Sequence, residues 1–87
     1  MYRIKYHKFK DILITEPLRA LDGNFYQVRI FLKDKDYQLD VVKFDDLSIK
    51  DSKQFQNISI AKSYARNYLR RELNVELFEE IRNPLEL

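Results

Sequence analysis

Apolar and polar residues alternate from the start of the chain. Tyr2, Ile4 and Tyr6 fall on one side and Arg3, Lys5 and His7 on the other, and this period of two over residues 2–9 predicts a half-buried strand. Asp11 breaks the run. Ile12, Leu13 and Ile14 predict a short second strand, ended by Pro17, which has no N–H to give to a ladder. Residues 18–21 are ambiguous. Asp22-Gly23-Asn24 marks a turn, because glycine supplies the positive φ that such turns need. Two longer runs follow, 25–32 (FYQVRIFL) and 37–44 (YQLDVVKF), both rich in β-branched and aromatic residues. The charged residues 33–36 between them predict a hairpin with a four-residue loop. Tyr26, Val28, Ile30 and Leu32 share one face of that hairpin, and Tyr37, Leu39 and Val41 match them across it. Residues 45–57 read as polar and irregular, with Leu47, Ile49 and Phe55 as anchors.

At Asn57 the period becomes helical. Asn57 or Ser59 predicts the N-cap. At 100° per residue, Ile58, Ala61, Tyr64, Ala65, Tyr68 and Leu69 form one apolar stripe, while Lys62, Arg66 and Arg70 form a basic one beside Ser63 and Asn67. Asn74 predicts an interruption. Val75, Phe78 and Ile81 continue as a short second helix, which Asn83-Pro84 stops because the residue before proline disfavours helix. The expected fold is α+β: an antiparallel sheet of three or four strands, followed by one long and one short C-terminal helix packed on one face. At 87 residues the expectation is a single domain over 1–87.

Composition narrows the classes. Disulfide scaffolds and Cys-ligated zinc modules are excluded, since the chain has no cysteine. The absence of a continuous apolar run predicts no membrane segment and no signal peptide, and the expected location is the cytoplasm. With one glycine, neither G-x-G-x-x-G nor G-x-x-x-x-G-K-[ST] can be written, which excludes nucleotide chemistry built on those loops. His7 is the only histidine and reads as an exposed strand residue without a dyad partner. Asp40, Asp45, Asp46 and Asp51, with Lys43 and Lys53 near, are the one set of residues suggestive of a divalent cation. They read more simply as loop and turn residues. No cofactor or metal is implied, and the chain reads as non-enzymatic.

The net charge of +2 hides an asymmetry. Residues 1–19 sum to +3, residues 20–57 to −1, residues 58–73 to +3 and residues 74–87 to −3. The basic regions are the outer face of the first strand (Arg3, Lys5 and His7, with Lys8 and Lys10 close by) and the helical stripe Lys62, Arg66, Arg70. Cations with hydroxyls and amides beside them suit phosphate contacts. Tyr2, Tyr6, Phe9, Phe25 and Phe31 are candidate stacking platforms for a single strand. The same cations also suit an ordinary solvated face. Tyr64 and Tyr68 read as rim residues of the core.

Two likenesses point the same way. The stretch from Asp22 to Leu73, with its Asp22-Gly23-Asn24-Phe25 start, resembles the small arm-type DNA-binding domains of some phage integrases, which have three strands and a C-terminal helix. The stretch from Val41 to Leu47, followed by Ile58 to Leu69, resembles the strand–P-D-L–helix pattern of HicB-type antitoxins. Asp45 stands here where that pattern has proline, and the usual glycines are missing. Both resemblances imply binding rather than catalysis, and neither carries a residue role over. The expected function is therefore a small binding module for nucleic acid, with Arg3, Lys5, Lys62, Arg66 and Arg70 as phosphate contacts. The alternative is a protein–protein adaptor or inhibitor of mobile-element origin, acting through a sheet edge or through the acidic tail (Glu76, Glu79, Glu80, Glu86).

Overall fold

Tight turns set the topology. In the computed structural model, which describes residues 4–75, β1 (Tyr6–Phe9) turns through Lys10 and Asp11 into β2 (Ile12–Thr15). A two-residue turn needs positive φ to match the twist of its strands, and Lys10 adopts 58°. The same device joins β4 (Phe25–Lys33) to β5 (Asp36–Lys43), where Asp34 has φ 59°. The hairpin is thus tighter than the four-residue loop expected, because Lys33 and Asp36 pair with each other.

Between β2 and β4 lies β3, only Leu18–Arg19, which pairs with the start of β4. Pro17 breaks the ladder there, and side chains patch it. The Thr15 hydroxyl accepts from the Val28 N–H at 3.0 Å, and the Gln27 amide donates to the Thr15 carbonyl at 2.9 Å. The predicted turn at Asp22 is present, with Gly23 at φ 91° and the Asp22 carboxylate accepting from the Asn24 N–H at 2.8 Å. That bond holds the Asp22 carboxyl below its usual range.

Residues 45–57 are not irregular. They contain β6 (Ile49–Phe55), a full edge strand antiparallel to β5. The sheet is therefore larger than the three or four strands expected: it runs β1-β2-β4-β5-β6, with β3 beside β4, six strands among the described residues. Every pairing is antiparallel. Of the short second helix expected, Val75 is described and is not helical, while Phe78, Ile81 and the acidic tail lie outside the described residues.

Among the described residues a single helix, α1 (Ile58–Arg71), packs against β5 and β6. Asn57 caps it, its side-chain oxygen accepting from the N–H groups of Ser59 and Ile60. Ala61, Ala65 and Leu69, one above the other, are fully buried against Val28, Ile30, Leu39 and Val41 of the sheet. The alanines bring helix and sheet close, while Leu69 fills the space further along. Beyond the helix, Asn74 takes φ 55° and the Val75 N–H donates to the Leu69 carbonyl at 2.8 Å, so Val75 folds back into the core. Among the described residues, no helix is long and apolar enough to cross a membrane.

Candidate nucleic-acid interface

The buried line Ala61–Ala65–Leu69 fixes how α1 is rotated, and so which residues flank it. One flank carries Lys62, Arg66 and Arg70, successive at one turn of about 6 Å. Lys62 and Arg70 are exposed and Arg66 is half-buried. This flank looks toward β1: the Lys62 ammonium lies 5.1 Å from the centre of the Tyr6 ring. Such a contact is attractive because the ring face is electron-rich. Tyr6 packs against the core, and burial raises its hydroxyl pKa above the ordinary range. By strand alternation Lys8 lies on the same side of β1 as Tyr6, and it is exposed. The helical stripe therefore meets β1 on its helix side.

The other basic residues identified in the sequence lie elsewhere. Lys5 is exposed just ahead of β1, and Arg3 is outside the described residues. His7 projects from the opposite face of the sheet, where its ring Nε2 is 3.2 Å from a carboxylate oxygen of Glu16. The aromatic residues divide in the same way. Tyr6 sits with the helix, whereas Phe9, Phe25 and Phe31 are on the far face. The structure thus brings together Lys62, Arg66, Arg70 and Tyr6, and separates them from the phenylalanine platforms.

The second flank of α1 faces β6. Tyr64 and Tyr68 stack with centroids 6.1 Å apart, and Phe55 of β6 lies 5.3 Å from Tyr64. The Tyr64 hydroxyl donates to the Asp51 carboxylate. Burial, and then that bond, push the Tyr64 hydroxyl up to about 12. Tyr64 and Tyr68, with Asn67, Arg71 and Glu72, line a depression of about 360 Å³. The Asp51–Tyr64 bond was not legible in the sequence, because it depends on the unrecognised β6.

The acidic residues near the hairpin do not converge. Asp40 accepts from the Ser52 hydroxyl at 2.7 Å and from the Gln38 amide at 3.0 Å on the far face, while Asp51 is on the helix side. Asp46 accepts from the N–H and hydroxyl of Ser48 in the β5–β6 turn, which keeps its carboxyl below the usual range. Among the described residues, no three His, Cys, Asp or Glu side chains are grouped to hold a metal ion.

Comparison with protein-family models, with curated proteins and with solved structures finds no match to this chain, so neither resemblance drawn from the sequence gains support.

Proposed function

We propose that this chain is a non-enzymatic nucleic-acid-binding module, with the Lys62–Arg66–Arg70 flank of α1 as its phosphate-contacting surface. The observation that carries this reading is the Lys62–Tyr6 contact, which sets the helical stripe against β1. A run of three cations over about two helical turns, with Lys8 across the seam and Ser63 and Asn67 alongside, suits a sugar–phosphate backbone. Arg3 and Lys5 are the other two phosphate contacts of this reading, and Lys5 is exposed just ahead of β1.

Fluorescence anisotropy with labelled single- and double-stranded DNA and RNA tests the reading. For a duplex held through five phosphate contacts, log affinity falls with log salt at a slope of about −4.5, so binding weakens about 500-fold between roughly 50 and 200 mM salt. Replacing Lys62, Arg66 and Arg70 together by alanine removes three contacts, and the slope should fall to about −1.8. No binding at low salt, or a triple variant that binds like the wild type, overturns the assignment. The second reading, a protein–protein adaptor or inhibitor, is supported by the seven-residue edge of β6, which among the described residues has a strand on one side only. Capture of a protein from the native host, insensitive to nuclease, would favour it.

A further inference from the structure

The depression on the β6 side of α1 is not used by the phosphate-contacting surface, yet it adjoins it. Phe55, Tyr64 and Tyr68 form a ladder of rings with centroids 5.3 Å and then 6.1 Å apart, the last two inclined by only 26°. Offset stacking at such distances is an arrangement that aromatic rings prefer. The Asp51 carboxylate, accepting from the Tyr64 hydroxyl, fixes the middle of the ladder. Tyr68 ends it among the described residues. That ring is half-buried and lines the depression with Tyr64, Asn67, Arg71 and Glu72. A space of about 360 Å³ lies within the range of roughly 300–1,000 Å³ found for small-ligand sites.

Helical spacing joins the depression to the cationic stripe. Asn67 precedes Arg70 by three residues and Arg71 by four, so it is a surface neighbour of both. Arg70 belongs to the stripe and Arg71 to the depression, and all three side chains are exposed. An anionic backbone lying along the stripe therefore reaches Arg71 by passing over Asn67.

We propose that the depression takes an unpaired nucleobase, stacked on Tyr68 as the next ring of the ladder, with the neighbouring phosphates on Arg70 and Arg71. The inference rests on the nucleic-acid reading above and narrows its ligand to a single strand. Charge decides which part of a nucleotide enters. The Glu72 carboxylate in the wall repels a phosphate, whereas it can accept from the amino group of a base. The Asn67 amide, both donor and acceptor, can meet a base edge. A duplex offers no such group, because its bases are already stacked and paired; recognition through splayed bases belongs to single strands.

Fluorescence anisotropy tests this with one labelled sequence as single-stranded DNA, single-stranded RNA, duplex DNA and an abasic DNA strand that keeps only the sugar–phosphate backbone. Stacking on an aromatic side chain strengthens binding by about 5–150-fold per base. The wild type should hold an intact single strand more tightly than the abasic one by such a margin. A margin with either sugar supports the proposal, and the tighter of DNA and RNA names the ligand. Tyr68→Leu keeps apolar bulk against the core and removes the ring. It should lose the margin with an unchanged salt slope, because no cation is removed, and should bind duplex and abasic strand as before. Tyr68→Phe should bind like the wild type. An abasic strand bound as tightly as the intact ones overturns the proposal, and this comparison needs no variant, so it decides the matter even if Tyr68→Leu does not fold. A Tyr68→Leu protein that is folded by circular dichroism and keeps the margin, or loses single-strand and duplex binding alike, overturns it too. If the Lys62, Arg66 and Arg70 triple alanine variant still weakens binding in those cases, the phosphate surface stands without the base site. No binding of any form at low salt removes both.

Discussion

Replacing Leu69 by alanine tests whether α1 is held to the sheet as described. Leu69 has no exposed surface and belongs to the central cluster with Val28, Ile30, Leu39 and Val41. The substitution removes every side-chain carbon beyond Cβ. At about 0.8 kcal/mol for each of the three groups lost, the transfer term alone is about 2.4 kcal/mol. A cavity term adds to it, because the neighbours on the same line of the helix, Ala61 and Ala65, are too small to lean into the space. The expected total is about 3–4 kcal/mol. A chain of this length is stable by about 4–13 kcal/mol, so the loss is a large fraction of the whole. It corresponds to a fall in Tm of roughly 12–30 °C at about 4–8 °C per kcal/mol. Urea unfolding followed by far-ultraviolet circular dichroism measures it, with Ile60→Ala as the control. Ile60 is 58% exposed on the outer side of the helix, so its loss should stay within about 0.5 kcal/mol. A Leu69→Ala loss below about 1 kcal/mol would show that the helix is not anchored through this residue, and the rotation that presents Lys62, Arg66 and Arg70 would lose its basis.

Three further outcomes follow from the same structure. Asn57→Ala should destabilise by about 1 kcal/mol, since two helix N–H groups lose their acceptor, and Asn57→Ser should restore most of it in the same urea assay. Gly23→Ala should cost about 1–2 kcal/mol through backbone strain alone, because φ is 91° and an added Cβ meets nothing within 4 Å; a neutral result would refute the turn geometry. Tyr64 titrates at about 12 in the folded chain against an ordinary value near 10, so the folded state holds the proton more tightly. Its contribution to stability is complete below pH ~10 and is lost as pH rises toward ~12. Melting temperature followed by circular dichroism over that range should therefore fall less steeply for Tyr64→Phe than for the wild type.

How much of this was legible in the sequence depended on whether a local period survived folding. The hairpin of β4 and β5 was, because Val28 pairs with Val41 and Ile30 with Leu39 on one face, as the alternation requires. The helix was, because its apolar stripe is the buried one. β6 was not, and the cause is a bulge. Val41 pairs with Asp51 and Val42 with Ile49, so Lys50 is an extra residue. Ile49 and Phe55, evenly spaced in sequence, end on opposite faces, and no period of two remains to be read. An edge strand also tolerates polar residues on both sides, and Asp51 is accommodated on the inner one only because Tyr64 meets it. As for the candidate site, the stripe Lys62, Arg66, Arg70 follows from helical spacing alone. That it faces Tyr6, and not Phe9 or Phe31, depends on which side of the sheet the helix crosses, and this is set by tertiary packing.

The order of the strands also bears on how the chain is made. Apart from the two-residue β3, which lets β2 pair directly with β4, strands consecutive in sequence lie side by side in the sheet, so each hairpin can close within microseconds of leaving the ribosome. The cover for the inner face comes last, from residues 58–75. At about 5–20 residues per second, that stretch takes on the order of one to four seconds to synthesise. For that interval the nascent sheet shows water two apolar faces, Val28 and Ile30 on one side and Phe25 and Phe31 on the other. The moment of greatest aggregation risk is therefore built into the gene order of the elements, and slow codons after Asn57 should lower soluble yield more than the same codons placed before Phe25.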